Sequence, residues 1–159
     1  MFTQYLEQWS YVAVFILAAI PWIELAAIIP LSIAFGLQPI PVAIVGFAGN
    51  WLTVFLLIVL FDRFQQWRSR RRAQRGENAP EGTRQQRAKR IMEKYGLPGL
   101  AFTGPLLIGS HIAAAVAMAF GAKRGPVTLW LTISLAVWTV VIAIISYYGF
   151  DALGITSSN

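Results

Sequence analysis

Glu24 is a carboxylate set in an apolar run. No other formal charge occurs between residues 8 and 61, and Pro21 and Pro30 flank it. A carboxylate can take up and release a proton, or meet the cationic group of a ligand. At the centre of a bilayer it costs about 2.5–3.5 kcal/mol to insert, so it turns toward protein or water. The only histidine, His111, lies in a second uncharged run, residues 95–122, after Gly104-Pro105 and Gly109-Ser110. An imidazole can take up and release a proton near neutral pH. Ser110 beside it and Asn50 after Gly46 and Gly49 complete a set of four polar groups expected to couple protons and hold a substrate: Glu24, His111, Ser110 and Asn50. Plainer roles exist for each. Glu24 can brace backbone groups freed by the prolines, His111 can pair with a carbonyl, and Asn50 can hydrogen-bond across a close helix contact made by small residues.

These groups exclude several chemistries. The chain has no cysteine, so thiol catalysis and thiolate metal sites are out. Glu24 and His111 supply two ligands where zinc needs three or four. No metal and no cofactor is therefore expected. A Ser110–His111–Asp151 triad is not expected either, because adjacent residues on a helix do not face one another. The chain is read as a non-enzyme.

The elements that must position these residues are written in the charge distribution. Of 159 residues, 57% are hydrophobic and 13% charged, against about 25% charged in a soluble domain. There are 13 Lys/Arg and 7 Asp/Glu, and fifteen of these twenty lie between Asp62 and Lys94. Outside that stretch stand Glu7, Glu24, Lys123, Arg124 and Asp151 alone. So few charges cannot cover a water-exposed surface. The net charge of +6 is confined to one loop beside apolar segments, which points to a membrane topology signal and not to nucleic acid.

Residues 42–61 and 126–148 are apolar and proline-free inside, long enough for spanning helices. The segments before them are broken. Pro21 and Pro30 interrupt the first, and Gly104, Pro105 and Gly109 the second. Each broken segment is either one kinked spanning helix or a re-entrant hairpin that enters and leaves on the same side. The first ten residues lack the positive start of a signal peptide. Phe2, Tyr5, Leu6 and Trp9 predict a short interfacial helix there.

The chain also repeats itself. AFGLQPIPV at 34–42 and AFGAKRGPV at 119–127 share five of nine residues at an offset of 85, and Tyr11 and Pro21 match Tyr95 and Pro105 at 84. Re-entrant hairpins would put every Lys and Arg on one side, with Lys123 and Arg124 joining the basic stretch. Four full crossings would put those two outside. The positive-inside rule favours the first arrangement, an inverted repeat. The expected fold is thus an all-α integral membrane protein, a single domain over residues 1–159. It has two inverted repeats, each a re-entrant hairpin followed by a transmembrane helix. The first covers residues 10–61 (hairpin 11–36, helix 42–61). A cytoplasmic connection follows at 62–94, and the second repeat covers 95–150 (hairpin 96–122, helix 126–148).

Within the connection, GENAPEG is a flexible break, and a second helix is expected from Thr83 with Arg87, Arg90 and Lys94 on one face. Arg70, Arg71, Arg72 and Arg75 are the candidate contacts for anionic lipid, at about 1 kcal/mol per residue. Their plainer role is orientation. Trp9, Trp51 and Trp67 read as interfacial anchors.

Glu24-Leu25, Pro30, the AFG turn with Pro41, and Gly49-Asn50 resemble the first-half signature of the bacterial small multi-drug export proteins. Lys94-Tyr95-Gly96 with Gly104-Pro105 resembles the second half. The likeness covers roughly residues 10–150. Where that family carries an arginine two residues after the glutamate, this chain has Ala26, leaving His111 as the substitute partner. The resemblance implies a plasma (inner) membrane transporter of amphipathic or lipid-like substrates. A distant relation to the DedA-like (SNARE-associated) proteins implies movement of lipids or polyprenyl-phosphate carriers. Three functions compete: a proton-coupled transporter, a lipid flippase or scramblase without coupling, and a membrane scaffold with a basic partner-binding loop. A four-helix exporter like the small multidrug resistance proteins fits less well, because those have short loops and no internal repeat. The expected partners are the bilayer, the substrate and a second copy of the chain.

Overall fold

The computed structural model describes residues 2–21, 23, 25–74 and 96–152, with side chains from residue 9 onward. Glu24, Arg75, the GENAPEG break and the helix expected from Thr83 with Arg87, Arg90 and Lys94 lie outside the described residues. The described residues form six helices: α1 (Phe2–Ala19), α2 (Leu25–Ala34), α3 (Pro39–Gln74), α4 (Leu97–Leu107), α5 (Ser110–Ala119) and α6 (Arg124–Ala152).

Helices α3 and α6 are the long ones, at 36 and 29 residues, and both are apolar enough to cross a membrane. Pro39 and Pro41 do not delay α3, since the first helical turn has no N–H to lose. The helix also runs past Phe61 through the basic run to Gln74, where no glycine or proline stops it. By contrast α2, α4 and α5 have 10, 11 and 10 residues. At about 15–17 Å each they reach half of a hydrocarbon core about 30 Å thick. Residues 2–10 form no separate interfacial helix. They are the first turns of α1, which meets no breaker until Pro21.

Chain contacts gather into two compact units: residues 1–53 with 133–159, and residues 54–132. The boundary cuts through α3 and α6 and not through a loop.

In the first unit α1 packs on α2, and both meet α3 at glycines. A side chain on Gly46 would lie 3.2 Å from Leu25 Cδ2 and near Val14 and Ile29. One on Gly49 would lie 2.5 Å from the Phe15 carbonyl oxygen. Val42, Gly46 and Asn50, one turn apart, form the buried edge of α3 here. In the second unit α4 folds back on α5. A Cβ on Gly104 would come within 2.6 Å of Ala113 Cβ. Nine residues of continuous helix would hold these two about 13 Å apart, so α4 and α5 do not run on as one continuous helix.

The turns differ from expectation. Pro30 and Pro105 lie inside α2 and α5's partner α4 and break neither. Each removes one hydrogen bond within its helix, a loss the surrounding packing tolerates. The reversal after α4 falls at Ile108–Gly109, where the Gly104 carbonyl accepts the N–H of both residues at 2.9 Å. Pro21, in contrast, does sit in the turn after α1, because it disfavours helix at the residue before it. Pro21 and Pro105, matched at offset 84, are therefore not structural equivalents, since one is in a turn and the other in a helix.

At offset 85 the geometry does recur. Helices α2 and α5 occupy 25–34 and 110–119, and α3 and α6 begin at 39 and 124. Gly36 and Gly121 have φ of 84° and 82°. Gly36 N–H donates to Ile33 and Leu37 N–H to Ser32, as Gly121 does to Met118 and Ala122 to Ala117. This is a helix end closed by a left-handed residue. A Cβ in that conformation costs about 1–2 kcal/mol. Gly36→Ala and Gly121→Ala are each expected to lose that much stability, measured as the midpoint of thermal unfolding in detergent. Equal melting of both variants and the native chain would contradict this.

Candidate functional site

The polarity of the fold is inverted relative to a water-soluble protein. Ser32, Asn50, Ser110, His111, Ser134, Thr139 and Ser146 are buried, while Leu56, Leu60, Leu129, Ile133, Ile144 and Ile145 are exposed. An apolar exterior over polar interior groups suits lipid, which asks nothing of the helix surface but asks every polar group to be paired inside.

In the second unit, Ser110 and His111 open α5. Ser110 is completely buried and His111 nearly so, with Ser110 Oγ 3.3 Å from His111 Nδ1. This corrects the expectation that these neighbours do not meet. Ser110 is the first helical residue after Gly109, with φ 93° and ψ 145°, so no preceding helical turn confines its side chain. If the hydroxyl donates to Nδ1, the ring proton sits on Nε2. If Nδ1–H donates to Oγ, the ring's remaining lone pair is on Nε2. Asp151 belongs to the other unit and is exposed.

Asn50 belongs to the first unit and is 1% exposed. Its carbonyl accepts the Thr53 hydroxyl at 3.0 Å. The same unit holds the buried hydroxyls of Ser134 and Thr139, which make no hydrogen bond among the described residues. Leu135, Ala143 and Ser146 of α6 are buried as well. Serine and threonine in this helix carried no sequence signal, because an apolar helix tolerates them on either side. Among the described residues no group of three His, Asp or Glu is placed to hold a metal.

A second polar region lies at the basic end of α3. Asp62, Arg63, Gln66, Trp67, Arg70 and Arg124 line a pocket of about 470 Å³. Of the four expected lipid contacts only Arg70 lines it. Arg71 instead places its guanidinium 4.0 Å over the Trp67 ring, Arg72 is exposed, and Arg75 is outside the described residues. Arg63, Gln66, Trp67 and Arg70 share one helical face. That spacing was legible, but it was hidden within a longer run of arginines. Arg124, which also lies 5.6 Å over the Phe55 ring, arrives only through folding. So does the Gln65 amide, which donates to the Met118 carbonyl at 2.7 Å and ties the end of α5 to α3.

A family model described as "Putative small multi-drug export protein" matches residues 24–141. The chain belongs to this family. The match runs from Glu24 through α2–α5 into α6, and leaves α1 outside. Membership in the small multi-drug export family and two apolar helices of spanning length together make this a membrane protein. Neither a curated protein nor a solved structure matches the chain.

Proposed function

We propose that this small multi-drug export family protein carries an amphipathic or lipid-like substrate across the bacterial inner membrane, with Glu24 coupling transport to protons. The observation that carries this reading is the inverted polarity: buried Asn50, Ser110, His111, Ser134 and Thr139 beneath an apolar exterior. Polar groups at membrane depth are retained where they line a path or a site. Glu24 immediately precedes Leu25, which is buried against Gly46 of α3, one turn before Asn50. Ser110 and His111 form the corresponding polar start of α5 at offset 85.

In this reading the two hairpins are re-entrant and opposite in orientation. Three features support it. Helices α2, α4 and α5 are half a bilayer long, the local geometry recurs at offset 85, and Arg124 joins the basic end of α3 in one pocket. The basic end is assigned to the cytoplasm by the excess of Lys and Arg. A single cysteine at the exposed Lys123 (Lys123→Cys) is therefore expected to resist impermeant thiol reagents in intact cells and to react once the membrane is opened. Labelling from outside intact cells would reject this topology.

The alternative is a passive flippase for lipids or polyprenyl phosphates, favoured by the arginine-lined pocket. Reconstitution into proteoliposomes separates the two. Proton-coupled transport responds to an imposed pH gradient, and passive flipping does not. A second copy of the chain is proposed as the partner that completes an enclosed path.

A further inference from the structure

The pocket at the basic end of α3 is lined by Arg63, Arg70 and Arg124 with Asp62, Gln66 and Trp67. We propose that it binds the phosphate of an anionic lipid headgroup whose acyl chains lie along the exposed ridge of α3. The proposal rests on the membrane placement of the chain and stands whether or not the protein transports anything.

Three arginines from two elements line the pocket. Arg63 and Arg70 stand two turns apart on α3, and Arg124 is the first residue of α6. Arginine presents paired N–H donors that match phosphate oxygens, and such charge-assisted bonds are stronger than neutral ones. Asp62 supplies one opposing charge, and its Oδ2 already accepts the Gln66 amide at 3.0 Å. The pocket therefore stays cationic. It also adjoins the N-terminus of a 29-residue helix with no acidic residue in its first turn, so the positive dipole end there is uncompensated. Gly125 adds no obstruction, for nothing lies within 4 Å of where its Cβ would be. The volume of about 470 Å³ falls within the usual range for small ligands, about 300–1,000 Å³.

The surroundings decide for a lipid over free phosphate. Leu56, Leu60, Phe64 and Trp67 are exposed at 48%, 68%, 56% and 48%. At spacings of four, four and three they form one continuous apolar ridge ending at the pocket. Phe64 and Trp67 contact one another with ring centroids 5.9 Å apart, and Arg71 covers the indole. A tryptophan backed by arginine at the end of an apolar run is what the headgroup level selects. A phosphate alone would have no use for such a ridge, whereas acyl chains would lie along it.

The test uses the full chain in a neutral detergent, titrated with short-chain phosphatidylglycerol, phosphatidic acid, phosphatidylcholine and inorganic phosphate by calorimetry. The two anionic lipids are expected to bind saturably and about tenfold more tightly than phosphatidylcholine. Arg63→Gln and Arg124→Gln are each expected to weaken them about tenfold, as the loss of one charge-assisted bond does. Arg68→Gln removes the same charge from α3 outside the pocket and is expected to change affinity less than about twofold, since separate exposed charges are screened. Equal losses in all three variants would show diffuse attraction and overturn the site. Phosphatidylcholine binding as tightly as phosphatidylglycerol would overturn it too. Inorganic phosphate matching the lipids would overturn the lipid as occupant. If Arg124→Gln does not fold, Arg63→Gln combined with Arg70→Gln, both at exposed positions of α3, carries the test.

Discussion

Glu24→Gln is expected to abolish pH-gradient-driven transport in proteoliposomes, with a fall of at least about a hundredfold in the initial rate. Glutamine keeps the size and hydrogen-bonding reach of the side chain and removes its capacity to change charge. A carboxylate at membrane depth costs about 2.5–3.5 kcal/mol on insertion scales. A brace for proline-broken backbone could be supplied by an amide at lower cost, so a purely structural residue should tolerate the exchange. The variant should therefore insert and melt at least as well as the native chain while losing coupling. Exchange of substrate between equal concentrations, without a gradient, should survive better than driven uptake. Driven uptake that persists in Glu24→Gln at every pH would remove the coupling role and leave the passive flippase.

The second large effect is on the fold. Gly49→Ala is expected to destabilise the first unit by about 1–3 kcal/mol, the usual cost of overpacking. The added Cβ would lie 2.5 Å from the Phe15 carbonyl oxygen and 3.3 Å from Ala18 Cβ. The first of these is backbone, which cannot rotate away as a side-chain tip would. Helices α1 and α3 would have to separate. Gly99 and Gly149 are the internal controls, because both are helical and nothing lies within 4 Å of either Cβ position. Alanine there gains helix propensity worth up to about 1 kcal/mol. Thermal unfolding in one detergent should rank Gly99→Ala and Gly149→Ala at or above the native chain and Gly49→Ala below it. A Gly49→Ala protein as stable as the native chain would show that α1 does not pack against α3 as described.

The small residues illustrate how much of the site was legible. Gly46, Gly49 and Asn50 were readable as a close-packing face because their spacing is local to one helix. Which backbone would press on Gly49 was not, since Phe15 is brought there by the turn around Pro21. The prolines misled in a similar way. Pro30 and Pro105 were expected to mark hairpin breaks, on the ordinary cost of proline in a helix. In the fold they sit inside α2 and α4, because packing can hold a helix together across one missing hydrogen bond. The turn after α4 falls at Gly109, which was also among the expected breaks, with a backbone conformation that a residue bearing a Cβ rarely adopts.

Composition and charge order were sufficient for the membrane placement, the two long helices and the recurring AFG turns. These properties follow from how short segments partition between water and lipid, and from backbone geometry within a few residues. Folding alone decided that Gln65 caps the end of α5 across 53 residues of sequence, and that Arg124 completes a pocket begun by Arg63 and Arg70. Such meetings depend on which faces of distant segments pack together, and no local pattern in the chain encodes that choice.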